Sequence, residues 1–142
     1  MGKITIITIL FLLFISCDKN SNFTRNDKDR AVFVKQNTLI NSPGRYYFRD
    51  ITIMVKEFKD DTIVYGIFDY YNKLLYQRNI NASISDHMKW AIYVDDKDQI
   101  WFYNADYQEL GMFFMNEKKG IFINDKNKLP QMPKELSKFI KK

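Results

Sequence analysis

Cysteine and histidine each occur only once in this chain, and no apolar run is long enough to make a bilayer-spanning helix. The single cysteine, Cys17, excludes an internal disulfide, so the fold must rest on packing alone. The single histidine, His87, has Ser83, Ser85 and Asp86 beside it in sequence. Nucleophilic triads are assembled from separate parts of a chain rather than from such neighbours, so His87 reads as a surface loop residue. One cysteine and one histidine are too few ligands for a zinc site. The longest apolar stretch, residues 4–15, falls short of the roughly 20 residues that a transmembrane helix needs. There is no repeat at a fixed period, which excludes a solenoid, and the chain is too short for a full propeller.

What is present begins with the amino-terminal segment. Lys3 supplies a positive charge, residues 4–15 are apolar apart from Thr5 and Thr8, and Ser16-Cys17 leads into the polar Asp18-Lys19-Asn20. A charged end, a short apolar run and a small residue before a break are the parts of a secretory signal. Within it, Leu13-Phe14-Ile15-Ser16-Cys17 resembles the lipobox of bacterial prolipoproteins. That resemblance implies cleavage before Cys17, a lipid on its thiol and acylation of the new amino terminus. Two or more acyl chains hold a protein stably, at about 0.8 kcal/mol per buried CH2, where one chain holds it only marginally. The alternative is an uncleaved signal anchor with Cys17 a bystander. The division expected is a signal peptide over residues 1–16, a lipidated flexible tether over 17–30 and one β-rich domain over 31–142. The resemblance places the domain in the bacterial cell envelope, anchored to a membrane and facing the periplasm or the exterior.

Hydrophobic residues make up 46% of the chain and aromatic residues 16%, which argues for a packed globule and against disorder. The net charge of +5 is scattered along the sequence rather than gathered in a stripe, so it reads as a solvated basic surface. Nucleic acid is not expected as a partner outside the cytoplasm, and no cofactor is implied.

From Ala31 onward the pattern is that of strands. Residues 31–34, 45–58, 62–70, 74–80, 89–94, 99–104, 111–116 and 121–124 are rich in β-branched and aromatic residues and are separated by turn formers. The expected fold is therefore mainly β, an antiparallel meander of about eight strands curled or closed into a barrel-like sheet. Pairing through Asp60-Asp61 sets Val55 opposite Gly66 and Ile53 opposite Phe68. One face then holds Ile51, Ile53, Val55, Val64, Phe68 and Tyr70. Gly66 in mid-strand marks a bulge or a bend. The second hairpin turns through residues 95–98 and sets Trp90, Ile92, Val94, Trp101 and Tyr103 on one face, with Ala91, Tyr93, Ile100 and Phe102 on the other. Pro133 starts a short helix over 134–140 whose Leu136, Phe139 and Ile140 share a face, with basic residues at its carboxyl end.

Asp95, Asp96 and Asp98 are considered as calcium ligands and set aside. An EF-hand loop starting at Asp96 needs glycine where Trp101 stands and a bidentate acid where Tyr107 stands. Asp-rich hairpin turns are the simpler reading. Both faces of the second hairpin are apolar, so it is either covered on both sides or shows an aromatic face to a partner. Trp90, Tyr93, Trp101 and Tyr103 are the candidate partner-binding residues, with a core role as the alternative for each. The function expected is non-enzymatic binding of a protein or other macromolecule by a lipid-anchored envelope domain. The rival is a small-ligand-binding or enzymatic barrel whose interior is lined near Arg78, His87 and Tyr93.

Overall fold

A computed structural model describes residues 31–58, 62–78, 84–85 and 87–142. The expected signal peptide, Cys17, the tether and the Asp60-Asp61 turn all lie outside the described residues. The domain is mainly β with one carboxyl-terminal helix, as the sequence pattern implies. Its strands are β1 (Ala31–Phe33), β2 (Thr38–Ile40), β3 (Gly44–Phe48), β4 (Ile51–Glu57), β5 (Thr62–Asp69) and β6 (Leu74–Gln77). They continue as β7 (Ile84–Ser85), β8 (Trp90–Val94), β9 (Ile100–Asn104), β10 (Glu109–Asn116) and β11 (Lys119–Ile123), and the helix is α1 (Lys134–Lys141).

These strands form two stacked sheets and do not close into a barrel. The first sheet runs β1-β3-β4-β5-β6, with β7 also pairing β5, and the second runs β11-β10-β9-β8-β2. The pairing of β1 with β3 is parallel, and every other described pairing is antiparallel. The strand count exceeds the expected one for identifiable reasons. Residues 45–58 are not one strand, because a turn at Arg49-Asp50 divides them into β3 and β4. Arg49 takes φ 49°, a left-handed conformation without the Gly or Asn that usually announces it. The two further strands, β2 and β7, are only three and two residues long.

The inward faces of both sheets make one core. Ile53, Val55 and Ile67 from the first sheet meet Ile92, Val94 and Ile100 from the second, all fully enclosed. Aromatic rings close the side where β6 meets β11. Tyr65 stacks on Phe102 at 4.6 Å between centroids, and Tyr76 stacks on Phe122 at 4.1 Å. Glycine is required beneath these rings. A Cβ at Gly111 would sit 2.5 Å from the Phe122 ring, and one at Gly120 would sit 2.5 Å from the Phe113 ring.

The register corrects the sequence reading in both long hairpins. Val55 faces Tyr65 and Ile53 faces Ile67, one residue away from the expected pairs, and Gly66 faces Met54. Residues 59–61 separate Phe58 from Thr62, whose carbonyl accepts the Phe58 N–H at 2.9 Å. Three intervening residues in place of two reverse every side chain of β5 relative to β4. Ile63, Tyr65 and Ile67 therefore point inward with Ile51, Ile53 and Val55, while Val64 and Phe68 lie on the outer face with Met54. The irregularity expected near Gly66 falls at Ile67/Phe68, where the pairing with β6 shifts.

The same slip recurs in the second hairpin. Val94 faces Ile100 and Tyr93 faces Trp101. The Asp95 N–H donates to the Gln99 carbonyl at 2.9 Å, leaving residues 96–98 as the loop, and Asp98 takes φ 62°. A three-residue loop with a left-handed third residue is a common hairpin closure. It places Trp101 and Tyr103 on the face of Tyr93 and Ala91, opposite to the expected arrangement, and Ile100 and Phe102 join Trp90, Ile92 and Val94 in the core.

Helix α1 covers the outer face of the second sheet. Pro133 occupies its amino-terminal cap and Lys138 and Lys141 lie in its last turn. Leu136 is fully buried, and Phe139 and Ile140 pack beside it against Ala91, Tyr93, Trp101 and Met112. The Lys89 Nζ donates to the Phe139 and Ile140 carbonyls at 3.3 and 3.4 Å, tying the end of the helix to the start of β8. Among the described residues no helix is long and apolar enough to cross a membrane.

Candidate functional site

Of the aromatic residues singled out from the sequence, Trp90, Tyr93 and Trp101 are buried. Trp90 is 7% exposed and faces the space between the sheets, while Tyr93 and Trp101 are 1% and 0% exposed beneath α1. Tyr103 is half-buried against the same cluster. The chain's own carboxyl-terminal segment occupies the outer face of the second sheet over Tyr93 and Trp101, while Trp90 is enclosed between the sheets, so none of the three is open to docking. The polar atoms of Tyr93 and Trp101 are also committed. The Trp101 Nε1 donates to Asp95 Oδ2 at 2.8 Å, and the Tyr93 hydroxyl donates to Asn37 Oδ1 at 3.0 Å, with Glu135 Oε2 at 3.4 Å.

The groups that a ligand in a barrel interior was expected to meet do not converge. His87 is exposed in the segment before β8, and Ser83 and Asp86 lie outside the described residues. Arg78 is buried at the end of β6, where its Nε and Nη2 both donate to Glu109 Oε2 at 3.0 and 2.7 Å. The Tyr107 ring covers that guanidinium, 5.3 Å from Cζ to the centroid.

Three tyrosines are held neutral by their surroundings. Burial pushes the Tyr65 phenol well above its ordinary value, with Tyr76 and Glu109 adding to the effect and Arg78 opposing it. Tyr76 is raised by burial and by Glu109. Burial, followed by Glu135, lifts Tyr93 to about 12 from an ordinary value of 10.0. A raised phenol means that the native state keeps a proton the unfolded chain gives up. The stability this contributes is fully present below pH 10 and is lost as pH rises through the native values. In an alkaline absorbance titration these three phenols are expected to ionise only as the fold opens, so that phenolate appearance and loss of circular dichroism coincide for this fraction. Guanidinium-unfolded protein should show one titration near 10 for all.

A cleft does exist, but at the opposite end of the sandwich from Arg78 and Glu109. It is walled by four hairpin connections: Arg49-Asp50 between β3 and β4, residues 70–73 between β5 and β6, residues 95–99 between β8 and β9, and Glu117-Lys118 between β10 and β11. Its volume is about 790 Å3, and Phe48, Ile51, Phe114 and Met115 contribute its apolar surface. One ion pair bridges it from sheet to sheet, Arg49 Nη2 to Asp98 Oδ2 at 2.9 Å. Asp98 also accepts from Gln36 Nε2 at 2.8 Å.

Two of the four walls share one local design. In residues 69–73 the Asp69 N–H donates to the Lys73 carbonyl at 2.9 Å, Asp69 Oδ1 accepts from the Lys73 N–H at 2.8 Å, and Asn72 takes φ 62°. In residues 95–99 Asp95 and Asp98 play the parts of Asp69 and Asn72. Asp95 Oδ1 accepts from the Gln99 N–H at 2.8 Å and the Lys97 N–H at 2.9 Å. An aspartate that caps its own loop makes each wall stiff before any ligand arrives. It also shows the Asp-rich run at work as turn chemistry.

The lip of the cleft carries Tyr70 and Tyr71, 75% and 85% exposed, with their rings at 86° and 5.5 Å between centroids. Sequence reasoning missed this pair, having placed Tyr70 in a strand face. The available signal was two adjacent aromatics between Asp69 and Asn72-Lys73, at a hairpin tip where neither ring has a core to enter. Among the described residues, no group of three or more His, Cys, Asp or Glu side chains is placed to hold a metal ion. No family model, no curated protein and no solved structure matches the chain.

Proposed function

We propose that this is a lipid-anchored protein of a bacterial envelope that holds a macromolecular partner in the cleft among its hairpin turns and performs no chemistry of its own. The observation that carries the binding reading is the pair of tyrosines displayed at a stiff, preformed lip. Loops at one end of a β-sandwich are a common seat for recognition, and tyrosine supplies large contact area at little entropic cost. Anchoring rests on the resemblance of residues 13–17 to a lipobox, with the lone cysteine at the position lipid would take. Against an interior ligand stands the apolar cluster between the sheets, in which Ile53, Val55, Ile67, Ile92, Val94 and Ile100 are fully enclosed.

Two measurements test the proposal. Intact mass of the membrane fraction should show a chain that begins at Cys17 and carries acyl groups, and Cys17→Ser should abolish both features. A wild-type species beginning at Met1 with an unmodified thiol would end the anchored reading. Separately, the variant carrying Tyr70→Ala and Tyr71→Ala should keep the wild-type melting temperature, since both rings are exposed. It should also lose the envelope material that the wild-type protein retains. Undiminished retention by this variant would remove the cleft from the function.

A further inference from the structure

Resting on the reading of the cleft as the binding site, we infer that its occupant is a neutral carbohydrate chain. The cleft must suit a ligand that is apolar on one side and rich in hydroxyls on the other. Sugar rings present C–H faces that pack on aromatic rings, and their hydroxyls both donate and accept. Tyr70 and Tyr71 offer ring surfaces in two nearly perpendicular directions at the lip. Behind them the lining supplies acceptors in Asp50, Asp98 and Glu117 and donors in Arg49 and Lys118, and the Gln99 amide can serve as either.

Each competing ligand class meets an obstacle here. A polyanion such as nucleic acid is bound by a surplus of Lys and Arg, whereas these walls interleave both signs, with carboxylates beside every cation. An extended peptide gains affinity by pairing its backbone with a free strand edge. The walls of this cleft are mostly turns and paired strand ends, and the one strand end there bonded on a single side is the short Phe114–Met115 tip of β10, which offers little edge for a peptide to extend. A globular protein needs a broad surface of roughly 800 Å2 per partner. The cleft is instead concave, within the range of about 300–1,000 Å3 typical of small-molecule and cofactor sites. It is a half-open cleft rather than an enclosed cavity, which leaves room for a polymer longer than the cleft.

The experiment uses the full processed chain, purified from membranes in detergent, and titrates it with the N-acetylglucosamine tetramer and with maltotetraose, neutral chains of different linkage and substitution. At least one should bind saturably by calorimetry at millimolar concentration or below. Tyr70→Ala with Tyr71→Ala should weaken that binding at least tenfold. Tyr70→Phe with Tyr71→Phe, which keeps both rings, should retain most of it, and Tyr107→Ala at the far end of the sandwich should leave it unchanged. Failure of both oligosaccharides to bind overturns the carbohydrate inference, as does binding that survives loss of both rings. If neither sugar binds while the double alanine variant still loses envelope retention, the cleft remains the site and its partner is a protein. If retention is undiminished, the cleft reading itself has failed.

Discussion

Replacing Asp95 with alanine is expected to destabilise the domain by about 3 kcal/mol or more, among the largest effects available from a single side chain outside the apolar core. Asp95 is only 4% exposed, and its carboxylate accepts three hydrogen bonds. Two come from loop N–H groups and the third from the indole of Trp101, which is itself fully buried. Alanine leaves that indole N–H without an acceptor where water cannot reach it, and the full desolvation penalty applies. Asp95→Asn separates the two roles. Its carbonyl can keep the loop N–H groups, but its amide then meets the indole donor to donor, so an intermediate loss is expected. Chemical denaturation of the three proteins checks the ranking. Equal stability of Asp95→Ala and the parent would mean that the carboxylate does not organise this hairpin.

Glu109→Ala should cost a comparable amount, about 3–5 kcal/mol, because it strands the Arg78 charge in a site that is 6% exposed. The expected signature is non-additivity. A double variant with Arg78→Met and Glu109→Leu removes both charges and should recover most of the loss, since a well-packed apolar pair often equals or exceeds a buried ion pair. Arg78 also serves the Tyr65 phenol, so the recovery should be incomplete. Equilibrium unfolding of the two single variants and the double variant gives the coupling directly. A double variant as unstable as the sum of the singles would show that the two residues act independently.

How much of this was legible from the sequence depended on the range of the forces involved. The strands of the second hairpin stand out because Trp90-Ala91-Ile92-Tyr93-Val94 and Ile100-Trp101-Phe102-Tyr103 are dense in residues that suit a pleated, buried surface. The terminal helix is equally visible, since Leu136, Phe139 and Ile140 share one face and Pro133 marks the start. What failed was parity. Asp60-Asp61 and Asp95-Asp96-Lys97-Asp98 are recognisable as turns, yet whether a loop holds an even or odd number of residues depends on one residue taking a left-handed conformation. Asp98 does so without being glycine. A single residue of error reverses a whole strand.

The site was less legible than the fold. That Trp101 and Tyr93 are covered follows from where α1 docks, which alternation along β8 and β9 cannot express. The cleft gathers Arg49, Tyr70, Asp98 and Lys118 from four separate hairpin tips. Each tip looks like an ordinary polar turn by itself, and only the stacking of two sheets brings them to one end. Tyr70-Tyr71 was the sole local clue.

The order of strands also decides what a half-synthesised chain must endure. β1 finds its partner β3 soon after it is made, but β2 waits for β8, since Thr38 pairs with Val94. Until β8–β11 emerge, Ile53, Val55 and Ile67 lack most of their cover, because Ile40 of β2 is the one second-sheet residue of that buried cluster made in the earlier half. Local hairpins close early and the long-range pairing closes last, so a nascent chain carries a bare, sticky surface for as long as its second half takes to arrive.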